Sequence, residues 1–148
     1  MTRKRTIGAP VDEVWKLVSD PYSLPRWWPR TGRVENVERK SGGKRSQWTK
    51  VLETAEGRGV RADYRCVSSA ERERYVWEQE LEGTPFARHL RSSRVEIGLK
   101  GGEGETQVAL ASVQTMKGMS RMGSPMMRRA QGATLDEALD GIERALTP

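Results

Sequence analysis

The chain has 148 residues, 35% of them hydrophobic and 31% charged, with a formal net charge of +6. That length suits one domain, and a composition with five Trp argues against disorder. No apolar run approaches the roughly 20 residues that a membrane-spanning helix needs.

The basic start, Met1-Thr2-Arg3-Lys4-Arg5, leads into Thr6-Ile7-Gly8-Ala9-Pro10 and then charge, without the apolar region of a signal peptide. A cytoplasmic location is therefore expected. One cysteine, Cys66, and one histidine, His89, provide neither an internal disulfide nor a closed zinc site, so no metal or cofactor is expected. The pI of about 9.8 raises the question of nucleic acid. Basic residues cluster at Arg3–Arg5, Arg39–Arg45, Arg72–Arg74 and Arg121–Arg129, away from the Trp residues, and acidic residues run through most of the chain. A nucleic-acid surface gathers its cations on one element among stacking aromatics. The pattern reads as a solvated Arg-rich surface, and no nucleic-acid partner is expected.

A short strand through Arg5 and Ile7 comes first. Pro10 opens a helix whose apolar face is Val11, Val14, Trp15 and Val18, with Asp12 and Glu13 complementing its positive end. Asp20-Pro21 ends it, and a second short helix or turn spans Tyr22 to Trp27. From Arg33 the period changes to two. Val34 and Val37 begin a strand that stops at Ser41-Gly42-Gly43, and Arg45 to Thr54 follows. After a turn at Glu56-Gly57-Arg58-Gly59, Val60, Ala62, Tyr64 and Cys66 alternate with charged residues. Tyr75, Trp77, Gln79 and Leu81 do the same. Gly83-Thr84-Pro85 precedes a strand from Arg88 to Lys100, and Gly101–Gly104 closes a hairpin with Glu105 to Met116. Ser124-Pro125 opens the last helix, striped by Leu135, Ala138, Leu139, Ile142 and Leu146, with Gly132 a weak point. A sheet with one polar face must bury the other, and that helix is the large partner available. The expected class is α+β, a curved antiparallel sheet around a long C-terminal helix in a single domain, 1–148.

The segment Ile7-Gly8-Ala9-Pro10-Val11-Asp12-Glu13-Val14-Trp15, then Val18-Ser19-Asp20-Pro21 and Leu24-Pro25-Arg26-Trp27-Trp28-Pro29, resembles the START-like superfamily. That group includes polyketide cyclases and the Bet v 1-type proteins. The resemblance in element order covers nearly the whole chain. It implies a helix-grip fold: seven strands around the last helix, two short helices after the first strand, and an apolar cavity between sheet and helix. It also implies ligands such as lipids, sterols or polyketides.

Residues two apart on a strand share a face. On that parity Val60, Ala62, Tyr64 and Cys66 share one face, and Tyr75, Trp77, Gln79 and Leu81 share another. Val95, Ile97 and Leu99 carry Ser93, Arg91 and His89 inward, while Val108 and Leu110 carry Ser112, Gln114 and Met116. Each face turns polar toward one strand end. Either these polar groups converge on a cavity, or the strand ends emerge into solvent. Candidate ligand contacts are Trp28, Trp48 (with Leu52), Tyr64, Trp77, Gln79, His89, Ser112, Gln114, Met116, Met119 and Met122. Met126 and Met127 read as ordinary core.

His89 is the natural proton-transfer candidate, with Arg91 and Gln114 as groups that would polarise a carbonyl. A Cys66–His89 nucleophile and base pair lacks an orienting third group. Two functions follow: a protein binding a small hydrophobic molecule, or a polyketide cyclase or dehydratase acting in the same cavity. A third is a partner-binding module using the basic surface. A monomer or a homodimer through an edge strand is compatible with the pattern.

Overall fold

Alternation of apolar and charged residues through the middle of the chain produces strands, and each strand hydrogen-bonds antiparallel to its neighbour in a seven-stranded sheet of order β1-β7-β6-β5-β4-β3-β2. The computed structural model describes residues 1–38, 46–53, 59–117 and 125–147. Its strands are β1 (Thr2–Ile7), β2 (Thr31–Glu38), β3 (Gln47–Glu53), β4 (Gly59–Ala70), β5 (Arg74–Gln79), β6 (Leu90–Gly101) and β7 (Thr106–Met116). The helices are α1 (Val11–Val18), α2 (Leu24–Trp27) and α3 (Pro125–Leu146). This is the expected helix-grip arrangement, with α3 gripped by the sheet.

Local chemistry sets the boundaries. Pro10 is extended and precedes α1, so the helix begins one residue later than expected, with Asp12 and Glu13 in its first turn. The Asp20 carboxylate accepts a hydrogen bond from the Tyr22 N–H at 3.1 Å and caps a 3-10 turn, Pro21–Ser23, which runs into α2. β4 runs four residues past Cys66, through a bulge between Cys66 and Ser68. The β6–β7 hairpin closes where the Gly102 N–H donates to the Glu105 carbonyl, with Gly104 at φ 69°. The expected turns at Gly42-Gly43 and Glu56–Arg58 and the Ser124 cap lie outside the described residues.

The core lies between the concave sheet face and the helices. Leu135, Ala138, Leu139 and Ile142 of α3 meet Ile97, Val108 and Leu110 of the sheet, and Val14, Leu17 and Val18 of α1 close one end. Each such aliphatic side chain stabilises the fold by about 2 kcal/mol. All five Trp join Tyr64 and Tyr75 in one network of ring contacts. Gly141 lets α3 approach α2 closely: a Cβ there would lie 2.2 Å from the Trp27 carbonyl oxygen.

The N-terminal cations have structural partners. Arg3 pairs with Asp136 at 3.3 Å and Arg5 with Asp140 at 2.5 Å, tying β1 to the outer side of α3. Arg72 pairs with Asp12, and Arg74 with Glu96 at 3.6 Å. These ion pairs fit the reading of the arginines as surface charge.

Among the described residues no helix is long and apolar enough to cross a membrane.

Candidate functional site

Between the concave face and the N-terminal half of α3 the packing leaves a partly open cavity of about 320 Å³. β4 and β5 contribute Tyr64, Trp77 and Gln79, and Trp28 enters from the end of α2. β6 and β7 contribute Ser93, Val95, Ser112 and Gln114. α3 closes the space with Met127, Gln131, Thr134 and Leu135, and Lys50 reaches it from β3. Of the two alternatives for the polar strand ends, part of the set does converge on a cavity.

Trp28, Tyr64, Trp77, Gln79, Ser112 and Gln114 thus stand together as expected. Adjacent Trp residues divide the work between them. Trp27 is buried under α3, while half-buried Trp28 meets the Trp77 ring edge-on at 5.3 Å in the cavity wall.

Other candidates lie elsewhere. His89 and Arg91 are exposed and do not line the cavity. The reason is a bulge: Leu90 pairs with Met116 but Ser92 with Thr115, so the parity that carries Val95 and Ser93 inward breaks before Arg91. His89 precedes the strand altogether, at the end of the 3-10 turn Pro85–Arg88. Cys66 is buried, so no Cys66–His89 pair forms; its thiol is pushed up by burial. Trp48 is 2% exposed and stacks on Tyr64 at 6.1 Å, behind the wall instead of in it. Met116 pairs with Leu90 in the ladder, beyond the last lining residue of β7. Met119 and Met122 lie outside the described residues. Met126 is 77% exposed, so it is not core, and Met127 borders the cavity.

Sequence reasoning missed Lys50, although the signal was present. It sits between Trp48 and Leu52 at the period of the strand, on the face those two were expected to share. Its side chain is 5% exposed. Nζ lies 4.8 Å from the Tyr64 ring centre and 5.5 Å from that of Trp28. Burial, with the nearby Arg30 guanidinium adding repulsion, lowers its pKa from 10.5 to about 7. Burial likewise pushes the Tyr64 phenol up. Gln131 was also missed, though it lies one helical turn from Leu135. Its Nε2 donates to Gln114 Oε1 at 2.8 Å, and Gln114 Nε2 donates to Ser93 Oγ at 3.4 Å. This chain of amides ties α3 to the β6–β7 hairpin across one side of the cavity.

The result is an aromatic wall, a neutral hydrogen-bonding edge and one amine. The cavity's described lining contains no carboxylate, and no group of three or more metal-ligating side chains occurs among the described residues. A second recess, about 330 Å³, lies between the Pro25–Thr31 segment and the outer side of α3. There Arg30 pairs with Glu137 at 3.3 Å and donates to Thr134 Oγ1 at 3.1 Å, so its guanidinium ties this segment to α3.

Similar architectures occur in solved structures. A START superfamily protein from Mycobacterium smegmatis superposes with a TM-score of 0.78 at 17% identity, over 99% of this chain and 95% of that one. The di-domain ARO/CYC BexL of the BE-7585A biosynthetic pathway gives 0.76 at 22% identity, over 97% of this chain and 45% of its own. A protein from Thermus thermophilus gives 0.73 at 18%, over 97% and 94%. No curated protein matches the sequence. The family model described as polyketide cyclase / dehydrase and lipid transport matches residues 1–147, and the chain belongs to that family.

Proposed function

We propose that this protein binds a compact, mainly apolar small molecule in the cavity between the sheet and α3, without covalent chemistry. The observation that carries this reading is the convergence of Trp28, Tyr64 and Trp77 with Gln79, Ser93 and Gln114 around one space. Apolar walls with a few placed polar groups are the usual make-up of a ligand pocket. A volume of about 320 Å³ lies at the small end of such pockets, which favours fused aromatic rings over a sterol or a long acyl chain. Family membership supports the class of ligand.

Cyclase or dehydratase chemistry is the second reading, favoured by similarity to BexL. Of the sequence-derived acid–base and polarising candidates only Gln114 borders the cavity, and a neutral amide transfers no proton. Lys50, whose amine titrates near 7, stands in the described lining with no carboxylate or histidine beside it to form an acid–base pair. Binding is therefore preferred.

A thermal-shift panel of fatty acids, sterols and aromatic polyketides tests the proposal. Bicyclic and tricyclic aromatics are expected to raise Tm and to quench Trp fluorescence. Trp28→Ala and Gln114→Ala are each expected to weaken binding about tenfold. Absence of any shift across the panel would sink the binding reading. Turnover of a polyketone that Gln114→Ala abolishes would promote the second.

A further inference from the structure

A buried lysine normally has a carboxylate beside it, because an isolated ammonium in a low-dielectric wall is costly. Lys50 has no carboxylate partner among the described residues. Its neighbours are two aromatic faces, Trp28 and Tyr64, and its side chain opens onto the cavity. Charged groups around it do not compensate it: Arg30 is cationic and is itself paired with Glu137, and Tyr64 is held in its neutral phenol form by burial. The other described polar lining groups, among them Gln79, Ser93, Ser112, Gln114, Gln131 and Thr134, are uncharged. The cavity thus carries one cationic group at one wall and neutral donors and acceptors at the other.

We infer that Lys50 is an anchor for a carboxylate, so that the cavity takes an aromatic acid with its ring against the wall formed by Trp28 and Trp77 and its acid group on the Lys50 ammonium. The inference deepens the binding reading above and rests on it. An entering carboxylate provides the missing partner, and a charge-assisted hydrogen bond shielded from water is stronger than one to a neutral handle. The aromatic faces hold the amine in place, and their quadrupoles favour its charged form once an anion arrives. Because the free amine titrates near 7, binding of an anion just above that value draws a proton from solvent.

The test compares naphthalene carboxylate with naphthalene methanol, a neutral ligand with the same ring system, by Trp fluorescence and calorimetry. The acid is expected to bind the unmodified protein about tenfold more tightly than the alcohol. Lys50→Met, which retains length and removes charge, is expected to erase that preference while still binding the alcohol. A second readout needs no variant. At about pH 8, one unit above the Lys50 value of about 7, binding of the acid should take up protons, seen as a heat that varies with buffer ionisation enthalpy, and binding of the alcohol should not. Equal affinities for the two ligands, or acid binding without proton uptake, would overturn the anchor and leave the cavity reading standing. No binding of either ligand would overturn the anchor, and the wider ligand panel then decides the cavity reading separately.

Discussion

Moving a lysine from water into a wall of aromatic rings costs free energy only while the lysine is charged, so the contribution of Lys50 to stability depends on pH. Unfolded, it titrates near 10.5; folded, near 7. Between those values the unfolded chain binds more protons. The folded state therefore gains stability as pH rises through the window, by at most about 1.4 kcal/mol per pH unit from this group. Below about 7 the whole penalty is present. Lys50→Met should accordingly be more stable than the parent at acid and neutral pH, with the advantage shrinking toward pH 10.5, as read by urea unfolding of both proteins. An advantage that stays constant with pH would contradict the buried placement. Cys66 makes a simpler prediction at the same scale. Buried, and with its thiol pushed up by that burial, it should resist a thiol reagent in the native protein and react fully in denaturant. Rapid native labelling would count against the β4–β5 packing.

Strand periodicity identified the inner faces of β4 to β7 where pairing is regular, and Tyr64, Trp77, Gln79, Ser112 and Gln114 were legible for that reason. It failed at the bulge between Leu90 and Ser92, since one extra residue reverses the parity of everything beyond it. Arg91, the extra residue of that bulge, was misplaced by that single step, and His89 was misplaced because it precedes the strand, at the end of the Pro85–Arg88 turn. Helix packing adds a constraint that composition does not advertise. Gly132 read as a weak point of α3, yet Gly141 is where α3 touches backbone. A Cβ at Gly132 meets the flexible end of Arg3, with Nη2 at 2.7 Å, whereas at Gly141 it meets the Trp27 main chain at 2.2 Å. Gly141→Ala is expected to cost about 2 kcal/mol or more through overpacking, lowering Tm by roughly 4–8 °C. Gly132→Ala should be near neutral or stabilising, because alanine is about 1 kcal/mol the better helix former. Matched thermal melts of the two variants check this; equal losses would refute the close α2–α3 approach.

Across the whole molecule the burial is uneven, and stability should follow it. Ile97, Leu110, Leu135, Leu139 and Ile142 are at most 1% exposed, while Met126 near the start of α3 is 77% exposed. Native-state hydrogen exchange is expected to be slowest in the middle of β6 and β7 and over Leu135–Ile142, and fast over the first two turns of α3. Uniform protection along α3 would be inconsistent with a helix half gripped and half bordering a cavity. Such a division also separates what could be read from the chain alone from what could not. The order of elements, the inner faces of regular strands and the apolar stripe of the last helix are set by local periodicity, and a sequence displays periodicity directly. Which inner-face residues meet a cavity and which meet a ring depends on the curvature of the sheet and on where α3 lies across it. Trp48 and Lys50 share one strand face, yet Trp48 is covered by Tyr64 and Tyr75 while Lys50 opens onto the cavity. Tertiary structure alone made that choice, because it follows from contacts between residues far apart in the chain.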